Sequence, residues 1–266
     1  MTKLPSLYYH RARLEIRLLL RNRNAVVFSM LLPVFLLFIF GSVFNKTKLG
    51  NTGVSFDQYF VAGLLASGLL YSAFQQLAIG IPEERSNGTL KRLVGSPMPP
   101  SVYFVGKLAA ATFTYIFQAI ALLAIGHFSY GIHLPGSVSL WLDFVWISAL
   151  GLAASALLGI AFSNFAKNGQ SASALASPVV LFFQFTSGVF FVYANLPKWM
   201  QDVAAIFPLK WMAQAMRGVF LPKLFASQEV GHSFELPKAA VILGAWTLAA
   251  ALICRFTFHW LPKNET

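Results

Sequence analysis

Glu83-Glu84-Arg85-Ser86-Asn87-Gly88-Thr89-Leu90-Lys91-Arg92-Leu93 is a charged, glycine-broken stretch between the second and third of a series of long apolar runs. It is the only dense mixed-charge cluster that separates two such runs. Charged side chains are costly inside a bilayer. This stretch therefore belongs in water beside a membrane, and the runs on either side of it read as separate crossings. A short, structured patch of both charge signs at that place suits the capture of a soluble partner.

Composition agrees with a membrane class. Of 266 residues, 57% are apolar and only 11% charged, and the mean hydropathy is +0.64. Soluble domains carry roughly a quarter charged residues. The 26 Phe and 6 Trp point the same way. A net charge of +11 raises the question of nucleic acid. The basic residues, however, crowd the first two dozen positions and the flanks of the apolar runs, where anionic headgroups are the nearer partner. The single cysteine, Cys254, lies in the last apolar run, which excludes an intrachain disulfide and reads as a small buried hydrophobe.

A crossing takes about 20 mostly apolar residues. Six stretches qualify, at 25–44, 58–81, 103–127, 140–164, 172–191 and 239–258. Pro33 reads as a kink in the first, and Gln75, Gln76 and Gln118 interrupt the second and third. An even number places both termini on one side. With the N-terminus cytoplasmic, 13 of the 20 basic residues fall inside, so the positive-inside bias favours that orientation. The expected fold is an all-α membrane protein of two parts: residues 1–24 as an amphipathic interfacial helix, and 25–266 as a six-span domain. In the first part Arg13, Arg17 and Arg21 recur every four residues while Leu7, Leu14 and Leu18 occupy another face. That pattern suits a helix lying in the headgroup layer rather than a cleavable signal. Residues 164–170 form a second short cytoplasmic turn. In the long outer segment, 192–237, Pro197 can start a helix bearing Trp199, Met200, Val203 and Ile206. Pro208 interrupts, and Trp211, Ala215 and Val219 resume. Two short amphipathic helices dipping into the outer leaflet are expected there.

Catalytic signatures are missing. No phosphate loop occurs, because Gly106-Lys107 is followed by leucine, so ATP is not hydrolysed here by that route. His10, His127, His133, His232 and His259 are scattered without ligand spacing, and no metal or cofactor site is expected. Asp57 and Asp143 lie near span ends, and a proton-driven carrier wants an ionisable group deeper in the bundle. Gly151, Ser155, Gly159 and Ser163 recur every four residues and predict close helix packing. In the fifth run Ser177, Val180, Leu181 and Gln184 share one face. Gln184 must find a protein partner there or line a cavity.

Together these features resemble the type-2 permeases of ATP-binding-cassette (ABC) transporters. The resemblance covers nearly the whole chain. It rests on the Arg-rich start, on Glu83-Glu84-Arg85 followed by Gly88-Thr89-Leu90-Lys91-Arg92-Leu93, and on Pro97 with Gly106-Lys107. It continues through Ser187-Gly188-Val189-Phe190-Phe191, Leu196-Pro197-Lys198-Trp199, Phe207-Pro208-Leu209 and Met216-Arg217. Asn87 stands where relatives often carry a charge, which makes this face less acidic than theirs.

The resemblance implies that Glu83, Glu84, Arg85, Gly88, Thr89, Leu90 and Arg92 belong to a coupling helix. That helix would seat on a separate ATPase subunit, which binds ATP and Mg, with 164–170 as a minor second contact. Two permeases, identical or paralogous, would enclose a pathway lined by Ser177, Val180, Leu181 and Gln184. Val189 and Phe190 would plug its exit. The resemblance further implies an inner (plasma) membrane location. A Phe-rich, uncharged path suits a hydrophobic or amphipathic small molecule such as a drug or antibiotic. Export of a lipid-linked glycan by similar machinery is the alternative within the family, and a secondary carrier or channel without an ATPase is the alternative outside it. A membrane-embedded enzyme lacks any candidate catalytic pair.

Overall fold

The computed structural model describes residues 4–22, 27, 31–44 and 47–260. Most of the opening of the first expected span, and the boundary at residue 24, lie outside the described residues. What is described is helical, with no β-strand and a single bridge between Lys48 and Ser55. Among the described residues, four helices are long and apolar enough to cross a membrane: Phe56–Ser86, Pro100–Tyr130, Val138–Phe165 and Leu236–Thr257.

The ten principal helices are α1 (Leu4–Arg21), α2 (Leu32–Val43), α3 (Phe56–Ser86), α4 (Thr89–Val94), α5 (Pro100–Tyr130), α6 (Val138–Phe162), α7 (Gly169–Thr186), α8 (Lys198–Ile206), α9 (Pro208–Phe220) and α10 (Leu236–Thr257). Helix α2 has 12 described residues, with Pro33 in its first turn. Helix α7 has 18 and opens on the polar run Gly169-Gln170-Ser171. These two are the expected crossings that fall short of a span among the described residues.

Helix α3 is the axis of the fold. Its start is capped by Ser55, whose Oγ accepts the Gln58 N–H, and every residue of Phe56–Leu69 is buried. Small residues make this burial possible by letting neighbours approach from several sides. A Cβ on Gly63 would lie 2.9 Å from the Val189 carbonyl oxygen, and one on Gly68 would overlap the Gln118 side chain. A π-helical turn at Leu70–Gln75 interrupts the regular winding. At 1.5 Å per residue, 31 residues span about 46 Å, more than the roughly 30 Å of bilayer hydrocarbon. The helix therefore does not stop at 81, where its apolar run ends. It carries Glu83, Glu84 and Arg85 out as its last turn.

The other long helices gather around α3. The small residues of α6 meet it as their spacing predicts: a Cβ on Gly159 would lie 2.6 Å from the Phe74 carbonyl oxygen, and one on Gly151 2.6 Å from Leu69. Helix α10 packs on α6 at the periphery and leaves Val241, Leu248, Leu252 and Phe256 exposed. Phe35, Phe38 and Ile39 of α2 and Ile116 and Ile120 of α5 are exposed as well. Apolar surface this extensive suits contact with lipid.

Helices α8 and α9 form where Pro197 and Pro208 predict starts. Helix α9, however, is not spread on a surface. All its residues except Gly218 are buried, packed among α3, α6 and α10. Helix α7 ends at Thr186, five residues before the expected end of its span. Ser187 to Phe191 form an irregular turn, with Gly188 at φ +76°.

Candidate functional site

The charged stretch folds as the last turn of α3, a reversal at Asn87-Gly88 and the short α4. Gly88 takes φ +77°, which favours glycine, and the Asn87 Oδ1 accepts the Thr89 N–H at 3.0 Å. The segment divides its residues between two faces. Glu83, Ser86, Asn87, Lys91 and Arg92 are exposed, while Gly88 and Thr89 are half-buried. Leu90 is fully buried and Arg85 nearly so. Leu90 therefore shapes the surface from below rather than forming it.

Glu84 and Arg85 are engaged within the chain. Glu84 accepts the Tyr103 hydroxyl at 2.7 Å and pairs with Lys107, which also reaches Glu15 at 2.8 Å; Glu15 in turn pairs with Arg11. One chain of charges thus joins α3, α5 and α1. Gly106 makes room for it, since a Cβ there would lie 2.7 Å from Arg11 Cγ. The Arg85 guanidinium donates to the carbonyls of Ser163 (3.1 Å) and His259 (2.9 Å) and to Asn164 Oδ1 (3.4 Å). It thereby ties the ends of α6 and α10 to α3. Glu83 lies against the start of α7: a Cβ on Gly169 would be 3.0 Å from Glu83 Cβ. The two turns expected to be separate contacts, 83–93 and 164–170, form one continuous surface.

The four residues of the α7 face do not share one environment. Val180 and Gln184 are buried, Ser177 is half-buried and accepts from Gln75 Nε2 at 3.4 Å, and Leu181 is exposed. Gln184 lies within reach of the Tyr71 hydroxyl, while the Oε1 atoms of Gln75, Gln76 and Gln118 meet no hydrogen-bond partner among the described residues. Unsatisfied amides in an apolar interior are costly; Gln75 and Gln76 sit at the end of the π turn of α3, a feature frequent at functional sites, and Gln118 packs against Gly68 just before it. Leu181 belongs to an exposed stripe with Leu175, Phe182 and Phe185. On a neighbouring face of α7, Val179 and Phe183 border an apolar cavity of about 570 Å³, which Phe162, Phe207, Trp246 and Phe256 also line. Helix periodicity alone does not reveal this cavity, because its walls come from distant segments.

At the end of the bundle away from the charged turn, Val189 is fully buried and Phe190 almost so. Phe190 packs its ring against Phe40, Phe60 and Phe185 at centroid distances of 6.0, 6.1 and 5.0 Å. Beside them sits a polar group that sequence reasoning missed. Tyr59 Oη lies 3.0 Å from the Gly188 carbonyl and 3.2 Å from that of Phe191, and accepts the Tyr193 N–H at 3.1 Å. Arg217 pairs with Glu229 and donates to the Gly188 carbonyl at 3.3 Å, its guanidinium 5.0 Å from the Tyr59 ring centre. Burial alone would pull Arg217 down, but the Glu229 carboxylate holds it above its usual value. Burial pushes the nearby Tyr193 hydroxyl up to about 12, so it stays neutral at physiological pH. The one available signal was an arginine, Arg217, embedded in the apolar pattern of α9.

The sequence is similar to known transport proteins. A sequence model for the ABC-2 type transporter family matches residues 10–221. The probable multidrug ABC transporter permease YbhR of Escherichia coli K12 is 26% identical over 175 residues. That match covers 64% of this chain but 46% of YbhR, so the chain matches under half of that relative. The inner membrane transport permease YadH of the same strain is 24% identical over 183 residues, covering 69% of this chain and 70% of YadH.

Proposed function

Because this chain belongs to the ABC-2 type transporter family, we propose that it is the permease subunit of an ATP-driven exporter in the inner membrane. Two such subunits, identical or paralogous, pair with two ATPase subunits and extrude a hydrophobic or amphipathic small molecule. The observation that carries this reading is the two-faced charged turn. Its exposed face, with Glu83 and Arg92 flanking the reversal at Gly88 and Thr89, is free to meet a soluble subunit. Its inner face, with Glu84 and Arg85, is bonded to α5 and the ends of α6 and α10, and through Lys107 to α1. A push on the outer face thus reaches the bundle without a flexible link.

ATP and Mg bind the partner subunit and supply the conformational work; this chain receives it. The crossings number six when α2, with the residues before it, and α7 are counted. Residues 1–24 lie along the membrane surface, both termini are cytoplasmic, and 25–266 form the permease domain. The exposed Leu175, Phe182 and Phe185 face the second permease; of Ser177, Val180, Leu181 and Gln184, the exposed Leu181 and half-buried Ser177 border the pathway between the two copies, with Val180 and Gln184 packed behind them. Val189 and Phe190 close its exit. The name of YbhR, a probable multidrug permease, favours export of small molecules over glycans.

The test is to express the chain with and without its candidate ATPase subunit in an efflux-deficient host and to follow ATP hydrolysis and dye efflux. Efflux that requires both subunits and an intact ATPase site supports the proposal. Efflux by this chain alone refutes it.

A further inference from the structure

We infer that Tyr59, with the Arg217–Glu229 pair, is a latch that holds the turn at residues 188–191 shut and so positions Val189 and Phe190. This rests on the reading of those two residues as the exit closure.

The turn follows the end of α7 and has no helix or strand ladder of its own. Its buried backbone groups must still be satisfied. One hydroxyl stands at the centre of it: Tyr59 Oη has its single proton within reach of both the Gly188 and the Phe191 carbonyl and accepts the Tyr193 N–H, gathering both sides of the turn at one point. Arg217 supplies a second donor to Gly188, and Glu229 fixes the guanidinium with two contacts. Tyr59, Arg217 and Glu229 are 1%, 0% and 4% exposed, so water cannot replace these bonds unless the turn first moves away. The turn is also fitted tightly to its place. A Cβ on Gly188 would lie 2.7 Å from Tyr193 Cβ, and Val189 rests on Gly63 of α3. Tyr59 lies on α3, the same continuous helix that ends in Glu84 and Arg85. A shift of α3 imposed at its charged end must either carry the turn with it or break these bonds. The latch is therefore set by the element that the docking surface moves.

The experiment uses the full chain in nanodiscs with its single native cysteine removed (Cys254→Ser) and the Val189→Cys substitution added. The rate of thiol modification by a membrane-impermeant maleimide is then measured. Slow labelling is expected with Tyr59 present, and labelling about tenfold faster after Tyr59→Phe, which removes only the hydroxyl. If Tyr59→Phe does not fold, the paired replacement Arg217→Met with Glu229→Leu serves, because it removes both charges at similar volume. Unchanged labelling in the variant that folds, even with a lower melting temperature, overturns the latch and leaves the group merely structural. Faster labelling that also occurs at a Val180→Cys control within α7 overturns it too, as general loosening. Labelling needs neither cargo nor ATPase, so its outcome is separate from that of the transport reading.

Discussion

At the charged end of α3, Glu84 and Glu15 share Lys107, whose side chain keeps 13% of its surface exposed; at the other end, Arg217 and Glu229 are sealed to 0% and 3%. Both are ion-pair systems that join α3 to its surroundings. The first bridges several helices, stays within reach of water, and can rearrange as those helices move. The second is closed around one turn, where separating the charges means leaving one of them unpaired in the interior. One helix thus joins a partly exposed network of ion pairs to a sealed one.

The largest effect should come from breaking the sealed pair. Arg217→Met strands the Glu229 carboxylate, and unfolding of the purified protein should show a loss of about 3–5 kcal/mol. Adding Glu229→Leu should restore most of it; a double variant as unstable as the single would mean that packing, not charge, is what matters there. Next is the seam between the two ends. Gly159→Ala sets a methyl against the Phe74 backbone, which cannot rotate away, and should cost about 1–3 kcal/mol by the same assay. Lys107→Met leaves two carboxylates without their shared cation, yet Glu84 keeps some access to water and Glu15 keeps its pairing with Arg11. Its expected cost is about 1–2 kcal/mol, and a loss equal to that of Arg217→Met would erase the contrast drawn above. The smallest effect on stability belongs to Arg92→Glu on the exposed face, within about 0.5 kcal/mol. That variant should nonetheless abolish ATPase-dependent efflux, and normal efflux would remove Arg92 from the docking surface.

The charged end was legible in the sequence because its outline is contiguous: two apolar runs, a glycine reversal, and both charge signs within eleven residues. Its inward wiring was not. That Glu84 faces Tyr103 and Lys107 follows from α3 continuing to Ser86, whereas hydropathy ends the run at 81. The packing of α6 was legible too, since Gly151 and Gly159 need only helical spacing to be seen. The opposite end was illegible for the converse reason. Tyr59, Gly188, Arg217 and Glu229 come from four separate segments, and no periodicity links them. The fifth span was drawn too long because Val189, Phe190 and Phe191 are as apolar as a helix interior. Gly188, with its positive φ, is the residue that stops it. Helix α9 was expected at a surface because its apolar stripe looks amphipathic; its polar residues Gln214 and Arg217 are satisfied inside the protein instead.

Contact between the outer face of the charged turn and an ATPase subunit is the core of the proposed function. It is tested most directly by site-specific cross-linking from Arg92→Cys in the Cys254→Ser background, with the candidate ATPase subunit co-expressed and Leu248→Cys on the exposed face of α10 as the control. The account predicts an adduct with the ATPase subunit from position 92 and none from position 248. Cross-links from position 92 confined to lipid or to this chain itself would contradict it.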